Sequence, residues 1–180
     1  MREINVKPQA IILEPFGRNT APAITIAALK SLENGNNANL LILSADHKIE
    51  NEQKFRDYIH EGLNYSLEGR IVTFGILPTT PNTGYGYIKS KDKFINSKRN
   101  ALEVESFSEK PDLEKAKQYL KDKRFTWNSG IFLFKANVIL KEINKFSPEI
   151  LNSCKDSMNQ KLNDLDFQRL NSKSFYDCPN

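Results

Sequence analysis

The sequence predicts an α/β fold, and three observations carry that reading. Short apolar runs of strand length stand at residues 10–13, 40–43 and 70–76, and stretches of helical periodicity separate them at 21–32 and 51–67. Glycines mark the junctions at positions 17, 35 and 69. Strands that alternate with helices predict parallel neighbours joined by right-handed crossovers, in an open, mostly parallel sheet flanked by helices.

Each element has its own reason. Ala10, Ile11, Ile12 and Leu13 form the kind of run that a strand covered on both faces shows, and Glu14 and Pro15 end it. Gly17 is expected to supply the turn, Asn19 or Thr20 to cap the next helix, and Pro22 to sit where first-turn amides lack partners. Ala21, Ile24, Ala27, Ala28 and Leu32 follow at helical spacing, and Gly35 suits the stop. With the strand at 40–43 this reads as a βαβ unit, whose two strands would open on one sheet edge. Arg18, Asn19 and Thr20 would there face Ser44, Asp46 and His47, at the kind of crevice where α/β sheets bind ligands.

The helix at 51–67 carries Phe55, Ile59, Leu63 and Leu67 on one stripe and closes at Gly69. Residues 70–76 are β-branched and aromatic enough for a buried strand. Pro78, Pro81, Gly84 and Gly86 then mark turns, and two extended strands follow, joined by a polar loop at 91–100. Asp112 opens a helix with Leu113, Ala116, Tyr119 and Leu120 on its apolar face. Residues 124–136 read as a strand interrupted by Asn128, Ser129 and Gly130, and a glycine inside a strand often marks close approach of a ligand or backbone. Helices are expected at 137–146 and 148–165, and residues 167–180 show no period.

At 180 residues the chain is about one domain, and 39% hydrophobic with 27% charged residues is ordinary for a globular protein. No apolar run approaches the roughly 20 residues of a membrane span, and the charged opening after Met1 has no signal-peptide character. A cytoplasmic protein without a membrane partner is the expectation. The net charge of +4 is spread out except for a cluster at 89–99, which reads as a solvated hairpin, so no nucleic-acid partner is expected. Cys154 and Cys178 lack metal-ligand spacing and read as free thiols.

Five motifs are more specific than the α/β pattern: EPFGRNTAPAI from Glu14, LSADH from Leu43, FGILPTTPNTGYGYIK from Phe74, ESFSEKP from Glu105, and WNSGIFLFKA from Trp127. In that order and spacing the chain resembles the sugar-nucleotide pyrophosphorylases, most closely the bacterial mannose-1-phosphate guanylyltransferases, over residues 12–148. The resemblance implies a Rossmann-like nucleotidyltransferase domain across 1–180 that joins GTP to mannose 1-phosphate, releases pyrophosphate and uses Mg²⁺. It also implies a fragment, because the family's glycine-rich triphosphate loop would precede Met1 and its second metal aspartate would follow Asn180. A complementing fragment or a second copy of the chain are the partners this leaves open. The other reading is a non-catalytic sugar-phosphate or nucleotide-binding remnant, or a decayed gene fragment.

The same resemblance assigns roles. Asp46 would be the catalytic metal ligand, since Mg²⁺ takes one or two carboxylates plus phosphate oxygens. Arg18, Asn19, Thr20 and Ala21 would lie against the nucleotide. Glu109 would accept bonds from sugar hydroxyls and Lys110 would neutralise the sugar phosphate, while Gly84, Tyr85, Gly86, Asn128 and Gly130 complete the sugar pocket. The bland counterparts are an exposed Glu109–Lys110 ion pair and a simple helix cap at Asn19 and Thr20.

Overall fold

A computed structural model describes residues 6–33, 35–94 and 101–179. In chain order the elements are β1 (Ile11–Leu13), α1 (Thr20–Leu32), β2 (Asn39–Ile42), α2 (Glu52–Leu67), β3 (Val72–Ile76), β4 (Tyr87–Ser90) and β5 (Val104–Ser108). They continue with α3 (Leu113–Lys121), β6 (Phe125–Lys135), α4 (Ala136–Phe146), α5 (Pro148–Asn159), β7 (Leu162–Asp164), β8 (Phe167–Arg169) and α6 (Ser172–Tyr176). Two compact units result, one of Met1–Leu40 with Lys135–Asn180 and one of Leu41–Phe134. The loop expected at 91–100 and the basic cluster at 89–99 fall partly outside the described residues.

The first unit is mainly helical. The small residues of α1 let neighbouring helices approach closely: Ala28 and Ala136 are fully buried and pack with Leu140 and Leu151. On another side Ile26 joins Ile150, Cys154, Met158, Leu170, Phe175 and Cys178 in a second core cluster. Helix α1 stops as its sequence suggests, with Gly35 at φ 75° and its N–H donating to the Leu32 carbonyl at 2.9 Å. Lys161 and Lys30 both bond the Glu33 carboxylate and hold its pKa below the usual range.

The α/β class stands, but the expected strand pairing, sheet direction and C-terminal helix are corrected. β1 and β2 do not form one βαβ sheet: β1 lies in a three-stranded sheet ordered β1-β8-β7, while β2 joins a five-stranded sheet. Hydrophobic periodicity marks a strand without naming its partner, and β1 finds one 156 positions along the chain, Ile11 opposite Phe167. Nor are the sheets mostly parallel. The β1–β8 pair is parallel, whereas β3–β6, β4–β5, β4–β6 and β7–β8 are antiparallel. Finally, the helix expected over 148–165 ends at Asn159, and the tail beyond it forms a hairpin and a short helix. Leu165 turns the hairpin at φ 53°, and Arg169 closes it on Asp164 at 2.7 Å.

The second unit is built on β6. Trp127 pairs with both Ile76 of β3 and Tyr87 of β4, so those strands flank β6 on opposite sides. β3 continues along its side to Leu133, which leaves β4 and β2 to share the other. Helix α2 starts where Asn51 caps the Lys54 N–H and ends at Gly69, φ 84°. Its Gly62 lies against the sheet, where an added Cβ would stand 3.1 Å from Phe74 Cζ and 3.3 Å from Leu133 Cδ2. Helix α3, capped by Asp112, packs Tyr119 flat on Phe125 at 4.0 Å. Tyr87, Ala116 and Phe125 are the buried centre of that contact. Strand β3 is only half-buried, with Ile76 52% exposed, contrary to the buried strand expected there.

Candidate functional site

Where β4 and β2 share one side of β6, the sheet has a break at Asn128, Ser129 and Gly130. The small polar residues suit it. Ser129 turns its hydroxyl to the Phe74 carbonyl and accepts the Ile131 N–H at 3.1 Å, which ties down the β3 side. On the other side the Asn128 N–H donates to the Gly86 carbonyl at 2.8 Å, just ahead of β4. Gly130 takes φ 69°, a conformation that L side chains resist, and donates its N–H to Asn128 Oδ1 at 3.1 Å. The Asn128 side-chain oxygen is therefore engaged within the chain.

Gly86, Glu109 and Asn128 converge at this break. A Cβ on Gly86 would stand 2.8 Å from Glu109 Oε2, 3.6 Å from Asn128 Cβ and 3.8 Å from the Ser108 carbonyl. Glu109 follows directly on β5, which pairs with β4 so that Ser108 lies opposite Tyr87. Lys110 comes next, and its Nζ is 3.6 Å from Glu109 Oε1 with both side chains mostly exposed. Its backbone sits at φ 41° immediately before Pro111, although proline pushes the preceding residue toward extended conformations. Such strain is kept only where surroundings impose it, and it collects at functional sites.

The turn before β4 is built by a residue that the motif reading passed over. Asn82 accepts the Gly84 N–H at 2.8 Å through its side chain, and its carbonyl accepts the buried Tyr87 hydroxyl at 2.9 Å. The Gly84 amide is thus already engaged. A proline followed by asparagine, threonine and glycine is a turn signature that could have pointed to this role. Tyr85 projects from the turn, about half exposed, and meets Trp127 edge to face at 5.2 Å. The Trp127 Nε1–H is buried without a hydrogen-bond partner among the described residues. Trp127 itself packs against the Tyr87 cluster.

The end of β2 approaches the same break: an added Cβ on Gly130 would come within 3.8 Å of Ser44 Oγ. Asp46 lies two residues on, in a turn, with its side chain 88% exposed and Oδ1 4.0 Å from His47 Nε2. No group of three or more His, Cys, Asp or Glu gathers among the described residues. A single exposed carboxylate fits a Mg²⁺ ion whose other ligands are water and substrate phosphate.

The four expected nucleotide residues, Arg18 to Ala21, belong to the first unit. Two details there differ from expectation. Gly17 carries no left-handed turn and has open space around it; Asn19 takes that role at φ 57°, ψ −162°. In this nearly glycine-only region its side chain makes no cap bond, so the capping expected of Asn19 is absent. Thr20 is the first helical residue, and the Ala21 carbonyl accepts the Thr25 hydroxyl. Arg18 Nη2 donates to the Tyr176 carbonyl at 2.7 Å, its guanidinium lies 5.9 Å from the Tyr176 ring, and Phe16 meets that ring edge-on at 5.8 Å. Nothing in the sequence pairs residues 18 and 176. Glu14, just upstream, has a buried Oε1 that is unpartnered among the described residues, and burial raises its pKa.

Residues 2–173 match the family described as nucleotidyl transferase. The chain belongs to that family. Over 179 residues this nucleotidyl transferase chain is 44% identical to the mannose-1-phosphate guanylyltransferase of Klebsiella pneumoniae, which aligns 99% of the chain with 38% of that protein. It therefore spans well under half the length of such curated relatives. Its fold is similar to the crystal structure of a mannose-6-phosphate isomerase from Helicobacter pylori, with a TM-score of 0.81, 34% identity, and 98% of this chain on 66% of that one. It is also similar to that of a mannose-1-phosphate geranyltransferase from Thermus thermophilus, with a TM-score of 0.77, 28% identity, and 93% on 46%. No helix among the described residues is long and apolar enough to cross a membrane.

Proposed function

We propose that this chain is the sugar-phosphate portion of a mannose-1-phosphate guanylyltransferase catalytic domain, a cytoplasmic transferase acting in GDP-mannose formation. The observation that carries the reading is the convergence of Gly86, Glu109 and Asn128, where only a glycine leaves the Glu109 carboxylate its place. The sugar lies over Gly86, with its hydroxyls donating to Glu109 and accepting from the Asn128 amide. Lys110 neutralises the phosphate as a compact point charge. Tyr85 bounds the ring, and the Gly84 and Gly130 turns hold Gly86 and Asn128 in place.

The reaction needs no protein nucleophile. In the complete catalytic domain a phosphate oxygen of mannose 1-phosphate attacks the α-phosphorus of GTP in line, so the protein's part is positioning and charge neutralisation. Arg18, Asn19, Thr20 and Ala21 bind the nucleotide, and Asp46 is the residue that would hold Mg²⁺. When bound, the ion would offset phosphate charge.

Calorimetric titration of the chain with mannose 1-phosphate and with GTP tests this reading. Mannose 1-phosphate should bind and Glu109→Ala should weaken it by roughly 10- to 150-fold, from the ~1.5–3 kcal/mol of hydrogen bonds to a charged group. Equal binding by both proteins, or binding of GTP alone, would remove the case for a sugar pocket.

A further inference from the structure

We propose that Cys154 and Cys178 form a reversible disulfide that clamps α6 and the residues after it onto α5, so that the pair is a thiol-oxidation site. The sequence offers no spacing that would join them. The fold places both, essentially without exposure, in one core cluster with Ile26, Met158, Leu170 and Phe175. Each thiol is near enough to perturb the other's titration, and Cys154 Sγ also lies 3.8 Å from the Pro22 carbonyl. Two thiols buried in one small cluster are the kind of pair that a disulfide can join.

The two positions differ in reactivity. Burial raises both pKa values, most strongly for Cys154, while the neighbouring Cys154 thiol and then the Arg18 charge partly offset the rise at Cys178. Cys178 also follows a helix of only five residues, fastened by its own N–H to the Phe175 carbonyl at 3.1 Å. Local opening of so short an element exposes Cys178 before Cys154, which sits in the twelve-residue α5. The Cys178 thiolate then attacks a small disulfide such as glutathione disulfide and displaces one glutathione. Cys154 loses its proton, attacks the mixed disulfide and displaces the second glutathione. Two electrons and two protons thus pass from the protein thiols to two glutathione molecules. Because α6 carries Tyr176, whose carbonyl accepts Arg18, the closed clamp also fixes the support of the Arg18 loop.

The test uses the whole chain and does not depend on activity. After incubation with excess glutathione disulfide and an acid quench, intact mass should fall by two hydrogen atoms in the monomer. The thiol count in denaturant should drop to zero, and dithiothreitol should restore both values. Closing a ~25-residue loop should also raise the unfolding midpoint by roughly 10 °C. Cys178→Ser and Cys154→Ser should each abolish the mass loss and the rise. Retention of both thiols by the wild type, a stable single glutathione adduct, or covalent dimers would overturn the proposal. These outcomes are read on the wild type and stand even where a serine variant fails to fold.

Discussion

Replacing Gly86 with alanine should weaken sugar-phosphate binding while leaving the fold intact. The added Cβ would stand 2.8 Å from Glu109 Oε2, and ordinary contact requires the carboxylate to retreat by about 0.5 Å. Glu109 is an exposed, flexible side chain, and Gly86 does not occupy the left-handed region, so the retreat costs the fold little. Lower freedom in the unfolded chain adds about 0.4–1 kcal/mol of stability. Binding is another matter, because displacing a charged acceptor forfeits part of ~1.5–3 kcal/mol of hydrogen bonding. A thermal melt and calorimetric titration with mannose 1-phosphate should thus show a midpoint within a few degrees of wild type and affinity several-fold lower, short of the loss in Glu109→Ala. The decisive arm is the double variant. In a Glu109→Ala background, Gly86→Ala should cost almost nothing further, since the group it displaces is gone. Fully additive losses would refute the idea that Gly86 acts by making room for Glu109.

Other expectations follow from particular positions. At Gly75 an added Cβ would lie 2.1 Å from the Oγ1 and 2.6 Å from the Cβ of buried Thr126, so Gly75→Ala should destabilise by about 1–3 kcal/mol or more in urea unfolding; an unchanged midpoint would contradict the close approach. Asn19→Gly should stabilise by about 1 kcal/mol, because φ 57°, ψ −162° is strained for any side chain, and a lower melting temperature would show that no strain is stored there. Arg124 holds the Asp122 carboxyl below its usual range, so that pair contributes fully above about pH 4 and fades as acid protonates Asp122. Asp122→Asn should then lose about 0.5–1 kcal/mol near neutral pH, with the gap to wild type closing in strong acid; a gap that persists at low pH would rule out the charge as its source. Asp46→Ala should change stability by less than about 0.5 kcal/mol yet abolish the enhanced water relaxation given by Mn²⁺, whereas retained enhancement would place the ion elsewhere.

How much the sequence disclosed depended on the range of each interaction. Helix α2 was bounded correctly because its signals are local: Asn51 caps Lys54, and Gly69 ends the last turn. The β4–β5 hairpin and α3 were legible for the same reason. Strand partners were not, since nothing in residues 10–13 specifies a match with Phe167, and β1 therefore left the expected βαβ unit. Residues 160–176 hid a hairpin turned by Leu165 and a helix capped by Asn171, each too short to show a period. In the candidate site, motifs single out Gly86, Glu109 and Asn128, and their convergence is a feature of the fold. Tyr176 was missed because it meets Arg18 through its backbone carbonyl, which no side-chain pattern encodes.

Isotope-edited NMR of the chain during titration with mannose 1-phosphate locates the ligand residue by residue. Amide shifts should gather at Gly86, Glu109, Lys110, Asn128 and Gly130, saturate together, and disappear in Glu109→Ala while the spectrum otherwise stays folded. Shifts centred instead on Phe16 to Ala21, or a folded spectrum unmoved by the ligand, would contradict a sugar-phosphate site beside Asn128 of β6.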